Sequence, residues 1–199
     1  MNIIVDKDKS NTLLPKIMRA SIHLFVRQGI HGTTTKDIAR EAGVAEGALY
    51  RHFKSKDELA WHIFQVHLDQ FTAELMGKVM MLKHARERVR AYVAESFAAY
   101  DSDPELFTYL ILQEHSELDK YARKYKHPGH VALRLIEDGQ SSGEIRAGDR
   151  KILASLFVGS VIRVCVIKMY GEFPGELAKR SDEVADGVWR MLSVTADNP

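Results

Sequence analysis

Residues 33 to 59 read TTTKDIAREAGVAEGALYRHFKSKDEL, a stretch that gathers hydroxyls, cations, glycines and an aromatic ring at close spacing. Those groups suit contact with duplex nucleic acid. Thr34, Thr35 and Lys36 stand where a short helix would begin, and can hold a phosphate through hydroxyls, backbone amides and charge. Further on, Ala45, Glu46, Gly47, Tyr50, Arg51 and His52 share the outward face of a second short helix. Ala45 and Gly47 are small enough for the backbone to approach bases closely. Tyr50 can stack on a sugar or a thymine methyl group and hydrogen-bond a phosphate. Arg51 can read guanine with two hydrogen bonds or pair with phosphate. Lys54 and Lys56 stand at the next helix start, placed to grip the opposite strand. Glu46 has two readings. It can accept from a cytosine amine, or it is a solvated residue at a helix start.

Such side chains work only if two helices cross steeply around a tight turn. The first helix then needs a small residue at the crossing, which Ala39 supplies. The turn needs a residue that accepts positive φ, which Gly43 supplies. The second helix, expected over residues 45 to 52, needs an apolar residue pointing back, which Leu49 supplies. Ile38, Ala42, Val44, Ala48 and Phe53 complete a small core with Leu24 and Phe25. This spacing describes a helix-turn-helix.

The surrounding chain is helical in pattern. Leu14, Ile17, Met18, Ser21, Leu24 and Phe25 recur at steps of three and four, one stripe of an amphipathic helix. Asn11 or Thr12 can cap its start, and Gly29 stands where a left-handed residue would end it. Thr34 with Asp37, and Ser55 with Glu58, read as capping boxes. The second box opens a long helix through Leu59, Ile63, Val66, Phe71 and Leu75. Helices are expected over about 85–100, from Asp103-Pro104-Glu105 onward, over 117–140 with a break at His127-Pro128-Gly129, over about 150–170 behind Asp149, and over 181–194. Period-2 alternation is absent. The fold class is therefore all-α: an N-terminal three-helix helix-turn-helix domain, residues 1–56, and a larger helical domain, residues 57–199.

The segment from about residue 11 to 60 resembles the DNA-binding domain of the TetR (AcrR-type) family of bacterial transcriptional regulators. The residues carrying the resemblance are Gly32-Thr33-Thr34, Asp37-Ile38-Ala39, Ala42-Gly43-Val44, Gly47, Leu49-Tyr50, His52-Phe53-Lys54 and Lys56. The resemblance implies DNA contacts at Thr34, Gly47, Tyr50, Arg51, His52 and Lys56. Two positions depart from the family pattern: Ala45 stands where Ser or Thr often caps the second helix, and Glu46 where a basic residue or proline is common. The resemblance also implies a helical effector domain and a two-fold homodimer through the last two long helices. Ile152, Leu156, Val158, Gly159, Ile162, Val166 and Met169, with Val184, Val188, Trp189 and Leu192, supply apolar faces for that purpose. An ordinary monomeric core is the alternative reading of the same residues. The function implied is a repressor that binds a palindromic double-stranded operator as a dimer and is released by a small lipophilic effector.

Candidates for the effector site are Phe97, Tyr100, Phe107, Leu110, Glu114, His115, Tyr121, Cys165 and Met169, with Tyr92, Gln113 and Tyr125 nearby. Most of these aromatics read equally well as core. Glu114-His115 on an apolar helix is the pair best suited to orient a ligand. Nine histidines invite a metal reading, but His127-x2-His130 has no cysteine partner and His62 and His67 do not share a face well, so no metal is expected. Phosphate-loop and nucleophile-elbow motifs are absent, and neither an enzyme nor a cofactor is expected. An architectural protein using the same helices without an effector is the competing class. Net charge is +1, with residues 1–60 at +3 and residues 61–199 at −2, a mild asymmetry that favours a nucleic-acid site in the first third. Arg86, Arg88 and Arg90 read as a solvated helix edge. Cys165 alone cannot form an internal disulfide. The apolar run from Ile152 to Ile167 carries Arg163 and reads as too short and too charged for a bilayer, which leaves no membrane role. With no apolar leader, the expected location is the cytoplasm.

Overall fold

A computed structural model describes the backbone over residues 7–121 and 127–194, and side chains over 13–113 and 127–194. Among the described residues the secondary structure is helical. Strand pairing is limited to one isolated bridge, Ile145 with Ser193. The helices are α1 (Lys7–Gly32), α2 (Thr35–Ala42), α3 (Glu46–Tyr50), α4 (Lys56–Met80), α5 (Ala85–Ser102), α6 (Pro104–Tyr121), α7 (Pro128–Ser141), α8 (Arg150–Met169) and α9 (Ser181–Leu192). A 3-10 turn over Leu177–Arg180, not anticipated from the sequence, precedes α9.

The chain divides into two compact units, Met1–His67 and Leu68–Pro199. The division falls within α4, eleven residues beyond the expected boundary at residue 56. The reason is local: Leu59, Ala60, Ile63 and Phe64, all from the first turns of α4, are buried members of the first unit's core.

In the first unit, α1 breaks at Gly29, whose φ of 75° and ψ of 164° are non-helical. Thr33 is fully buried there, and its Oγ1 donates to the Gly29 carbonyl at 2.8 Å. The core comprises Ile17, Ile22 and Phe25 of α1, Ile38 and Ala39 of α2, Leu49 of α3, Phe53, and the start of α4. α4 opens on a modified capping box. Ser55 Oγ accepts from Glu58 N at 3.1 Å, but Glu58 Oε2 accepts from Lys54 N at 2.6 Å, one residue before the expected partner.

In the second unit, the breaks fall where proline, glycine and capping side chains put them. Asp103 Oδ1 accepts from Leu106 N at the start of α6, and Asp149 Oδ1 accepts from Lys151 N and Ile152 N at the start of α8. His127 caps α7 immediately before Pro128. Gly139 is required by packing: a Cβ there would lie 2.5 Å from Ile145 Cδ1. Ile145 is 3 % exposed and joins the bridge to Ser193. The expected solvated edge is exposed at Arg86 and Arg90 but not at Arg88. Arg86 and Arg90, four apart on α5, reach Asp186 on α9 at 3.3 and 3.0 Å. Arg88, on another face, pairs with Asp138 on α7 at 2.8 Å. The hydrogen bonds from Arg90 and Arg86 hold the Asp186 carboxyl below its ordinary range.

By length and composition α8 is apolar enough to cross a membrane, contrary to the sequence expectation. Its Leu153, Ala154, Phe157, Val161 and Cys165 are buried within the unit. A different stripe, with Ile152 at 60 % and Leu156 at 45 % exposure, leaves an apolar face uncovered.

Candidate nucleic-acid interface and helical-domain cavity

Thr34 caps α2 in a reciprocal box, its hydroxyl oxygen accepting from Asp37 N at 3.1 Å while Thr34 N donates to Asp37 Oδ2 at 3.1 Å. The hydroxyl proton goes to Asp37 Oδ2 at 2.6 Å. Thr34 therefore fixes the helix start, and the amides of the residues just beyond it are the groups left for an anion. These bonds from Thr34 also hold the Asp37 carboxyl below its usual range. At the other end, Gly43 adopts φ 66° and ψ 37°, with Gly43 N donating to Arg40 O and Val44 N to Ala39 O at 2.9 Å. That left-handed pair of bonds closes α2 and redirects the chain into α3.

α3 is five residues long, shorter than the expected 45–52, because Phe53 turns inward and is 8 % exposed. Ala45 sits at its N-cap in extended conformation and makes no side-chain cap. Leu49 faces the core at 2 % exposure, while Tyr50 is 54 % exposed. Lys36, Ala45, Gly47, Arg51, His52 and Lys54 are exposed as well. A Cβ at Gly47 would meet nothing within 4 Å, so internal packing does not require glycine there.

Two expected contacts have work inside the protein. Lys56 Nζ donates to the carbonyls of Ile30, His31 and Thr33 at 2.6, 3.3 and 2.7 Å, which occupies the three donors of an ammonium. Its charge closes the end of α1. Glu46 Oε1 accepts from Thr35 Oγ1 at 2.7 Å, and Thr35 Oγ1 lies 3.3 Å from the Tyr50 hydroxyl. With the Thr35 proton given to Glu46, Tyr50 is the donor in that second bond. The chain Tyr50 to Thr35 to Glu46 orients the Tyr50 ring. Neither of the two readings of Glu46 included this role.

In the second unit, Phe97, Tyr100, Phe107, Leu110 and Cys165 are buried, and Met169 packs partly buried against the same cluster. The side chains of Glu114, His115, Tyr121 and Tyr125 lie outside the described residues. Burial pushes the Cys165 thiol up to about 12, so it carries no thiolate for redox chemistry at neutral pH. Among the described residues, Leu110 and Tyr92 of the expected lining border the apolar cavity of about 40 Å³, together with Phe71, Ser96, Ile111, Val158, Val161 and Ile162. Gly129 and Val158 belong both to that cavity and to an open groove of about 650 Å³ carrying His127, His130, Lys151 and Ser155. Periodicity marks all of these apolar positions as inward-facing and cannot separate a cavity wall from a filled core. The His127–His130 pair was visible, though only as a candidate metal site. Among the described residues no group of three or more metal-ligating side chains occurs.

Comparison with known proteins adds the following. Residues 17–63 match the family model of bacterial regulatory proteins of the tetR family. An HTH-type transcriptional repressor KstR2 of Rhodococcus jostii is 31 % identical over 159 residues, covering 72 % of each chain. A fatty acid metabolism regulator protein of Bacillus subtilis is 26 % identical over 151 residues, covering 73 % of this chain and 78 % of the other. In fold, the chain is similar to the crystal structure of the transcriptional regulator FadR from Bacillus subtilis in complex with stearoyl-CoA. That likeness has a TM-score of 0.73 and 20 % identity, and covers 87 % of this chain and 96 % of that one.

Proposed function

The chain belongs to the TetR family of bacterial regulatory proteins, and from that premise we propose that it is a ligand-responsive repressor. It binds a palindromic operator as a homodimer and is released by a small lipophilic effector. Its role is regulatory rather than catalytic, and it works in the cytoplasm. The observation that carries this reading is the exposed surface beyond Gly43. There Tyr50, Arg51 and His52 face solvent while Leu49, on the same short helix, is buried. Tyr50 and Arg51 read bases or adjoining sugar-phosphate, Gly47 and Ala45 admit the backbone, and Lys36, His52 and Lys54 meet phosphates. Thr34, Thr35, Glu46 and Lys56 position these groups.

The uncovered Ile152–Leu156 stripe of α8 supports a dimer, since burying an apolar face against its own copy removes it from water. A dimer supplies two recognition helices about 34 Å apart, one turn of B-DNA. Avidity then raises affinity without new contacts at either half-site. The effector belongs to the second unit, where an apolar cavity adjoins a polar groove. The stearoyl-CoA in the Bacillus subtilis regulator supports a lipophilic effector here. Release follows if the effector favours an arrangement in which the helices no longer match adjacent major grooves.

A gel shift on the duplex upstream of the protein's own reading frame tests the reading. Arg51→Ala and Tyr50→Ala are expected to abolish the shift, and Lys83→Ala to leave it intact. A wild-type protein that shifts no palindromic duplex, or an Arg51→Ala variant that binds as the wild type does, would overturn it.

A further inference from the structure

The groove between α7 and α8 and the apolar cavity that shares Gly129 and Val158 with it differ in chemistry. The cavity is walled by side chains such as Phe71, Ile111 and Ile162, whereas the groove carries His127, His130, Lys151 and Ser155. Among the described residues, neither wall contains an aspartate or glutamate.

The two histidines are held by the backbone. His127 Nδ1 accepts from Gly129 N at 3.2 Å, and His130 Nδ1 accepts from His127 N at 3.3 Å. A ring nitrogen that accepts a hydrogen bond carries no proton, so each neutral ring bears its proton on Nε2. Both rings, with centroids 4.1 Å apart, are thereby fixed as donors. Burial and the facing His130 lower the His127 pKa, which favours that neutral form. Lys151 adds an ammonium and Ser155 a hydroxyl, both exposed. Among the described residues, the groove therefore offers hydrogen-bond donors and a positive charge, with no carboxylate in its wall.

We infer that groove and cavity form one site for an amphiphile, its anionic head held by His127, His130, Lys151 and Ser155 and its unbranched apolar tail entering past Gly129 and Val158. The inference rests on the effector-responsive reading above and deepens it by assigning the head of the ligand. The cavity of about 40 Å³ has room for a few waters, at about 10–15 Å³ of such volume each, and not for a long chain. The tail must therefore part α8 from α5 and α6 as it enters. A preformed polar groove with a closed apolar slit behind it makes ligand entry itself the event that moves the helices.

Two sources share this chemistry, a free carboxylate and a thioester of a phosphorylated carrier. The test is titration calorimetry on the full-length protein without DNA, using decanoate, decanoyl-CoA and decanol. At least one anionic probe is expected to bind ten times or more tighter than decanol, and the tighter of the two identifies the source. Lys151→Glu is expected to weaken the anionic probe at least tenfold and leave decanol unchanged. Lys151→Arg should retain binding, and Ile162→Trp, which fills the slit, should weaken all three. Equal affinity for decanol and the anionic probes, indifference to Lys151→Glu, or no binding of any probe would each overturn the inference. Because the titration contains no DNA, such a failure leaves the gel-shift result standing, and a failed gel shift leaves the ligand titration standing.

Discussion

Replacing Gly43 with alanine isolates the left-handed turn from everything else at the interface. A Cβ at this position would meet nothing within 4 Å, so no steric clash contributes. What remains is the backbone. Holding a non-glycine residue at φ 66° and ψ 37° costs about 1–2 kcal/mol. The two bonds that close α2, from Gly43 N and Val44 N, use backbone atoms and survive the change. Gly43→Asn is expected to lose less than Gly43→Ala, because asparagine tolerates the left-handed region. The assay is urea unfolding of the full chain in a Trp189→Phe background, in which Trp61 fluorescence reports the first unit. A loss of about 1–2 kcal/mol corresponds to roughly a 5–30-fold change in the folded-to-unfolded ratio, well within reach of the method. No cost for alanine, a cost above about 4 kcal/mol that signals a clash, or an equal cost for asparagine would each refute a backbone origin of the strain.

Three further outcomes follow from individual contacts. Gly139→Ala should destabilise the wild type through overpacking against Ile145 by about 1–3 kcal/mol, yet stabilise an Ile145→Ala variant by up to about 1 kcal/mol through helix propensity; a double-mutant cycle by urea denaturation without that change of sign refutes the contact. Glu46→Ala, by releasing Thr35 and with it Tyr50, should lower the preference for a selected operator over random-sequence duplex in fluorescence anisotropy, and an unchanged preference would contradict the orienting role. His127, whose pKa is lowered in the fold, favours its neutral form. The stability it contributes is therefore present above its unfolded value near 6.5 and is lost as pH falls toward the lower folded value. Urea midpoints of the wild type should drop between pH 7.5 and 5.5, and His127→Asn, which caps α7 without titrating, should reduce that drop; an identical drop in both proteins would refute the assignment.

The helix-turn-helix was legible because its constraints are local. Ala39, Gly43 and Leu49 each meet a requirement of chain direction or burial that short-range spacing expresses. Helix ends were readable at Asp103, Asp149 and His127-Pro128 for the same reason, since caps depend on neighbours in sequence. Interactions between distant segments were not legible. Lys56 reads as a phosphate ligand until the end of α1 is seen beneath it, 23 to 26 residues away in sequence. Arg88 reads as part of a solvated edge until α7 supplies its carboxylate, and the exposed Arg86 and Arg90 show no partner until α9 is seen. The cavity was hardest. Phe97, fully buried in the core, and Tyr92, on the cavity wall, have the same burial pattern along α5. Which of them leaves a void depends on the shapes of side chains arriving from α6 and α8.

Sequence reading by the surface around Tyr50 and Arg51 is the decisive property of the proposed repressor. It is tested most directly by sequencing the duplexes that the full-length protein enriches from a random pool without added ligand. The expected result is a palindromic consensus with half-sites about one helical turn apart, and an Arg51→Ala variant whose enrichment collapses or loses its preference within each half-site. A wild-type protein that enriches nothing, or an Arg51→Ala variant that recovers the same consensus at the same strength, would contradict it.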